Sequence, residues 1–136
     1  MLKRLKGFRE DFFMYADDSD LCLRVLKAGF NITVVPQAKV FHCEQAITPT
    51  DQKIEFHKIK NFFSLYLLHA RLRVLPEFYF RYGVIGLLRA VVLDRQRLWP
   101  RLKASGWFLL KAPSLIADRY RGTKLSANER ALRNPV

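Results

Sequence analysis

An aromatic and acidic stretch near the amino terminus constrains the fold more than any other part of the chain. Residues 7–24 read GFREDFFMYADDSDLCLR, so an aromatic run leads into three carboxylates within four positions. An aspartate side chain can accept backbone N–H groups at the start of a helix, and the helix dipole favours negative charge there. We therefore predict that Asp17 or Asp18 is the N-cap of a helix.

The residues after these acids have the spacing of an amphipathic helix. Four apolar side chains recur at positions i, i+1, i+4 and i+5, which places them on one helix face: Leu21, Cys22, Val25 and Leu26. Gly29 stands where a residue with a left-handed backbone ends a helix, so we predict a helix over about 18–28. Acids at the start of a rigid helix, beside Phe12, Phe13 and Tyr15, suit a general base.

The rest of the chain divides into an extended part and a helical part. Residues 30–34 alternate apolar and polar side chains, which predicts a half-buried strand, and 39–42 form a second extended run. From about residue 52 the apolar period becomes that of helices. We predict helices over about 52–74, 77–98 and 101–120, and a disordered tail over 121–136.

The net charge of +12 lies entirely in the second part of the chain. Residues 1–51 contain seven basic and seven acidic side chains, whereas residues 52–136 contain seventeen and five. This asymmetry indicates an anionic partner, either a membrane surface or a nucleic acid. Because the sequence has no recognisable nucleic-acid-binding module, nucleic acid is the less favoured of the two.

The longest apolar run, residues 78–93, is interrupted by Arg81 and Arg89. Crossing a bilayer takes roughly 20 mostly apolar residues. With Trp99 and Trp107 nearby, the pattern predicts a helix that lies in the membrane interface and does not cross it. The alternative, that these are ordinary helices packed on a catalytic core, stays open.

Two cysteines, Cys22 and Cys43, are too few for a disulfide framework. Cys22 lies on the apolar helix face and Cys43 ends the second extended run. We therefore predict that both are buried free thiols in a reducing compartment.

Residues 7–30 resemble the acceptor-side signature of family 2 glycosyltransferases, especially the rhamnosyltransferase-like branch. The agreement runs from Gly7 to Phe30 and continues more loosely to His42. The resemblance implies an α/β fold, with the C-terminal portion of a GT-A, Rossmann-like catalytic domain in residues 1–50. A helical, basic and membrane-associated extension would follow over 51–120. It also implies that a nucleotide-binding half precedes this chain, which alone is expected to be inactive.

The resemblance also assigns roles to individual residues. Asp18 aligns with the acid that takes the proton from the acceptor hydroxyl, and Asp17, where the family usually has Glu, is expected to orient the acceptor. Phe13 and Tyr15 are expected to contact the acceptor. Asn61 resembles the basic-Asn pattern of the family at the start of the next helix, with Lys60 where the family usually has Arg, and it is expected to bind the substrate. From residue types alone, the favoured role of Asp17 and Asp18 is to cap the helix and nothing more, and the resemblance reverses that preference.

The family uses a divalent metal, Mn²⁺ or Mg²⁺, on the diphosphate of the donor. Asp18-Ser19-Asp20 has the Asp-x-Asp pattern, but it opens a helix in the acceptor half, so we do not assign it to the metal. His42 stands where the family has a metal or diphosphate ligand, and a structural hydrogen-bonding role is the alternative. Arg24 is interpreted as a structural ion-pair partner of the acids.

Together these features predict transfer of a sugar from a nucleotide-sugar donor to a glycan or lipid-linked acceptor. The expected setting is the cytoplasmic face of a membrane, in the assembly of cell-envelope polysaccharide. The competing hypothesis is a non-catalytic basic module that binds a membrane surface or a partner protein.

Overall fold

The structure, a computed structural model, describes residues 2, 3, 5–41 and 51–133. The α-helices of this part are α1 (Asp17–Lys27), α2 (Asp51–His69), α3 (Leu75–Phe78), α4 (Gly86–Leu93) and α5 (Leu98–Arg133). A π-helical segment, Tyr79–Ile85, joins α3 to α4. The 3-10 turns Leu72–Val74 and Arg95–Arg97 precede α3 and α5.

The predicted α/β class, a portion of a GT-A Rossmann-like domain, is wrong for the described residues, which form helices and no strand. A strand needs a neighbouring strand to receive its backbone hydrogen bonds, whereas a helix satisfies its own. Residues 30–34 and 39–41 form no strand in the described part of the chain, and apolar side chains among them, such as Val34 and Phe41, are exposed. An alternating pattern without a pairing partner therefore stays an extended, irregular segment.

Helices α2 and α5 pack against each other and form the core. In α2 the buried residues Ile59, Phe63 and Leu67 recur every four positions, which places them on one helix face. Ala104 and Phe108 of α5 face them at the same spacing. Aromatic rings of α2, α3 and the π-helical segment pack beside this core. Tyr66 and Phe78 stack with centroids 3.6 Å apart, Tyr79 contacts Phe78, and Phe62 and Tyr82 contact each other at the exposed edge of the group.

The helix ends differ from the predicted ones in three places. The first long helix ends at His69 rather than near residue 74, and Pro76 stands in the first turn of α3, where a missing N–H costs nothing. The second predicted helix is interrupted by the π-helical segment. The third continues to Arg133, whereas the sequence predicted a disordered tail from residue 121.

Helix α1 agrees with its predicted bounds to within one residue at each end. Gly29 adopts a left-handed φ of 82°, its N–H donates to the Leu26 carbonyl over 3.0 Å, and the Phe30 N–H donates to the Val25 carbonyl over 3.2 Å. This is the hydrogen-bond pattern of a Schellman motif, so the predicted helix end is confirmed.

Two local predictions about α1 are wrong. The N-cap is Ala16, with a left-handed φ of 62° and no side-chain cap, so neither Asp17 nor Asp18 has that position. Cys22 is exposed, because α1 turns the side of Asp20 and Val25 inward. Cys43 lies outside the described residues.

Candidate functional site

The candidate site is the loop of residues 11–16, which leads into α1 and carries an unusual backbone. Phe13, Tyr15 and Ala16 have φ values of 56°, 64° and 62°. Non-glycine residues rarely adopt positive φ, because the Cβ atom then crowds the backbone. A loop with three such residues persists only where the surrounding structure holds it.

Asn61 of α2 supplies the main restraint on this loop. Its Nδ2 group donates to the carbonyl oxygens of Phe12, Met14 and Tyr15 at 2.7, 2.6 and 2.7 Å. An amide group has two N–H hydrogens, so the three carbonyls share them. Asn61 is 1% exposed, and these hydrogen bonds form in an environment that excludes water.

Lys60, the neighbour of Asn61, makes a second contact with the same loop. Its ammonium donates to the carbonyl oxygen of Asp11 and lies 4.5 Å from the centre of the Trp107 ring. Burial lowers the pKa of Lys60. We call Lys60 and Asn61 the clamp, because together they hold the main chain of residues 11–15.

The clamp leaves some side chains of the loop exposed. Phe12 points into the core and is fully buried, whereas Phe13 is 70% and Tyr15 41% exposed. The Phe13 ring lies 5.4 Å from the His57 ring, and the Lys58 ammonium lies 5.0 Å from the Tyr15 ring centre. The loop therefore presents two aromatic side chains at the surface, next to a basic side chain.

The two acids that open α1 follow this aromatic surface directly. Asp18 is exposed and Asp17 is half-buried. The Oδ1 atom of Asp18 accepts hydrogen bonds from the backbone N–H and the hydroxyl of Ser19, at 2.6 and 3.2 Å. These contacts orient the Asp18 carboxylate at the amino-terminal end of a helix while it remains open to solvent.

The third acid, Asp20, has a different environment that the sequence did not predict. It is fully buried and accepts hydrogen bonds from Arg24 Nε and His69 Nε2, both at 2.8 Å. Arg24 also donates to the carbonyl oxygens of Leu5 and Gly7. Arg24 is thus the ion-pair partner of an acid, as predicted, and it ties the amino-terminal segment to α1.

The protonation of His69 follows from its neighbours. Lys27 Nζ lies 2.9 Å from His69 Nδ1, and an ammonium group can donate hydrogen bonds but cannot accept them. Nδ1 therefore accepts, and the N–H is on Nε2, which donates a hydrogen bond to Asp20. Burial lowers the pKa of His69 and outweighs its hydrogen bond to Asp20. Burial would raise the pKa of Asp20, but the hydrogen bond from His69 and the charge of Arg24 lower it overall. The result is a neutral histidine against an ionised aspartate.

The spacing of Asp20 and Arg24, one helical turn apart, was the available sequence signal for this group. His69 lies 49 residues further along the chain, and no pattern connected it with Asp20. A cavity of about 520 Å³ adjoins the group and is bordered by Arg9, Arg24 and Asp118. Asp11, the first residue of the loop, also borders this cavity, whereas Phe13, Tyr15, Asp17 and Asp18 do not.

The structure thus brings together Asn61, Phe13 and Tyr15 and places Asp17 and Asp18 directly after them. His42, the predicted metal ligand, lies outside the described residues. Within the described ranges, no three His, Cys, Asp or Glu side chains come together as metal ligands. Both carboxylate oxygens of Asp20 are already engaged, one by Arg24 and the other by His69, so Asp20, Arg24 and His69 do not fit a divalent ion.

Comparison of the chain with protein-family models, curated proteins and solved structures found no match. The resemblance to family 2 glycosyltransferases therefore stays a prediction from the residues of the amino-terminal stretch.

Proposed function

We propose that residues 13–18 form the acceptor side of a sugar-transfer site, with Asp18 as the general base. The observation that carries this proposal is the clamp, which binds the loop through its main chain alone and leaves Phe13 and Tyr15 exposed. Aromatic faces with a few fixed polar groups are typical of sites that bind small organic molecules. The exposed Asp18 carboxylate lies directly beyond these rings on a helix.

The proposed reaction assigns one proton transfer to this chain. As the acceptor oxygen bonds to the anomeric carbon, the bond from that carbon to the nucleoside diphosphate breaks, and the Asp18 carboxylate takes the acceptor's proton. The nucleotide-sugar donor binds elsewhere in this proposal, since the sequence contains no glycine-rich phosphate loop. Asp17 orients the acceptor, and Asn61 acts as a positioning residue through the loop.

The test is a transfer assay on the native protein, isolated from its source with an antibody against this chain. The protein is offered a panel of donors, UDP-glucose, UDP-N-acetylglucosamine, dTDP-rhamnose and GDP-mannose, together with an array of oligosaccharide acceptors. The release of nucleoside diphosphate is measured for the wild-type protein and for Asp18→Asn. We expect the substitution to lower turnover by about 10²- to 10⁴-fold, the usual contribution of a general base.

The matched control is Glu77→Gln, which changes an exposed acid on α3 that pairs with the exposed Arg81. This variant should keep the turnover of the wild type. Full turnover in Asp18→Asn would refute the assignment of the base. Failure of the wild-type protein to release nucleoside diphosphate from any donor would refute the proposed activity.

A further inference from the structure

A group of large apolar side chains lies exposed around the turn between α4 and α5. Their exposed fractions range from 42% to 77%: Leu88, Val91, Val92, Leu93, Trp99 and Leu102. Leu88, Val91 and Val92 of α4 stand three and four positions apart, so they share one helix face, and Leu93 is the last residue of that helix. We call residues 88–103 the hairpin tip. Soluble monomers rarely leave this much apolar surface together in water unless it binds something.

Helices α4 and α5 form a helical hairpin and are held together behind the tip. Arg101 of α5 donates to the carbonyl oxygen of Tyr82 over 3.2 Å, and its guanidinium lies against Gly86 of α4. A Cβ atom on Gly86 would come within 2.5 Å of Arg101 Nη1, so the glycine permits this close approach. Ala90, on the inward side of α4, is 3% exposed. The exposed residues therefore belong to the outer side of a packed hairpin and are not an unfolded segment.

Basic side chains surround the apolar ones at the tip. Residues 88–103 contain five Lys or Arg and one acid, Asp94. Arg89 and Arg95 are exposed, and Lys103 Nζ lies 5.1 Å from the centre of the Trp99 ring. Asp94 is already paired with Arg97 over 2.8 Å. The tip therefore carries a positive charge that its own acid does not neutralise.

We propose that the hairpin tip docks on the surface of a bilayer that contains anionic lipid. Interfacial segments combine a tryptophan and aliphatic side chains, which enter the acyl boundary, with Lys and Arg, which reach the headgroup phosphates. The tip has both components within sixteen residues. Each Lys or Arg near a membrane surface strengthens binding to anionic headgroups by about fivefold, and the five basic side chains of the tip outnumber its single acid. Charge complementarity therefore selects the lipid surface as the occupant.

The proposal does not depend on the acceptor site, because none of residues 11–18 belongs to the tip. No described helix has the combination of length and apolar character that crossing a membrane requires.

The experiment is co-sedimentation of the full chain with vesicles of phosphatidylcholine, and with vesicles of phosphatidylcholine mixed with phosphatidylglycerol. We expect binding to the mixed vesicles that weakens as salt is added, and much weaker binding to phosphatidylcholine alone. The double variant Arg89→Gln/Arg95→Gln removes two exposed charges and should weaken binding to mixed vesicles by about 25-fold. Its control, Arg71→Gln/Arg73→Gln, removes two exposed charges outside the tip. The control should bind mixed vesicles at least five times more tightly than Arg89→Gln/Arg95→Gln does, and a fivefold difference is about the effect of one charge.

A second pair of variants tests the apolar component. Val92→Ser/Leu93→Ser removes two side chains that are each 77% exposed, and binding should fall by about tenfold. The control is Val34→Ser/Val40→Ser, at residues 83% and 88% exposed but outside the tip, and its binding should equal that of the wild type. Because all four residues are exposed, circular dichroism should show unchanged folding.

Three results would overturn the proposal. Equal binding to the two kinds of vesicle would show that binding does not require anionic lipid. Equal losses of binding in Arg89→Gln/Arg95→Gln and in Arg71→Gln/Arg73→Gln would show that the tip is not the binding surface. Sedimentation velocity without lipid that shows a dimer, abolished by Val92→Ser/Leu93→Ser, would identify a second copy of the chain as the occupant.

Discussion

Helix α2 holds the amino-terminal segment at two places, and the two contacts use different chemistry. In the middle of the helix, the clamp binds main-chain carbonyl groups of the loop. At the end of the helix, His69 binds the side chain of Asp20, which also pairs with Arg24. The first contact is independent of which side chains the loop carries, whereas the second consists of ionisable side chains.

This difference separates side chains that are available to a ligand from side chains that are already bonded within the protein. Asp18 and Asp20 stand two positions apart on α1, yet one is exposed and the other is fully buried. The hydrogen bonds of Asp20 are already made by Arg24 and His69. Asp18 accepts hydrogen bonds from Ser19 in its own turn, and its carboxylate is exposed and open to a ligand. A binding role therefore fits the region held by the clamp, and a structural role fits the region held by His69.

The largest expected effect is that of Asp20→Asn on stability. The substitution leaves the Arg24 guanidinium, whose side chain is 19% exposed, without its buried counter-charge, and we expect a loss of about 4 kcal/mol in the free energy of unfolding. Urea unfolding measures the loss. The matched control, Asp18→Asn, should cost less than about 0.5 kcal/mol, because that residue is exposed. Equal costs for the two variants would contradict the division between them.

The next largest effect is expected for Asn61→Asp, which keeps the shape of the side chain and removes the donor group. A carboxylate would then face three carbonyl oxygens, and we expect a loss of about 3 kcal/mol in the free energy of unfolding. Asn31→Asp, at an exposed position, is the control and should have little effect.

Hydrogen exchange distinguishes the clamp from a general effect on the core. In Asn61→Asp, exchange should accelerate first at residues 12–16, since these lose their restraint, and later in the rest of α2. Uniform acceleration over the whole chain would show that Asn61 stabilises the core and not the loop.

The smallest expected effect is on the pH dependence of stability, to which the contact at the end of α2 contributes. Burial lowers the pKa of His69 from 6.5, so the folded state keeps it neutral while the unfolded state binds a proton. The unfolded state then holds more protons, and stability falls as the pH decreases below about 6.5. Asp20 acts in the same direction, because its pKa is lowered from 3.8 and its contribution is lost below that value.

Urea unfolding at several pH values measures this dependence. His57 also has a pKa lowered by burial and by the charges of Lys60 and Lys53, so the series should be run in a His57→Gln background. In that background, His69→Gln should flatten the profile between pH 5 and 6.5. A profile that stays equally steep would mean that another group is responsible.

The sequence predicted the local features of the candidate site better than the fold around it. The bounds of α1 and the end at Gly29 follow from apolar spacing and a single backbone conformation, both of which are local signals. The strand over 30–34 was predicted from alternation alone, which describes a strand only where another strand is present to pair with it. The local pattern carried no information about that partner.

The remaining differences also come from contacts between distant parts of the chain. The apolar spacing around Cys22 suggested an inward face, but the pairing of Asp20 with His69 turns a different face of α1 toward the core. Asn61 was identified by the resemblance, yet its three carbonyl partners lie 46 to 49 residues away and became evident only in three dimensions.

The way Asn61 holds the loop has a consequence for engineering the surface. Every residue type has the same carbonyl group, so positions 13 and 15 can be randomised in a library that omits proline, which cannot adopt their positive φ, without removing the hydrogen bonds that shape the loop. Glycine and asparagine adopt positive φ at low cost, and at these two positions they should relieve backbone strain as well as change the surface. Selection from such a library would alter what the loop recognises while its framework stays the same.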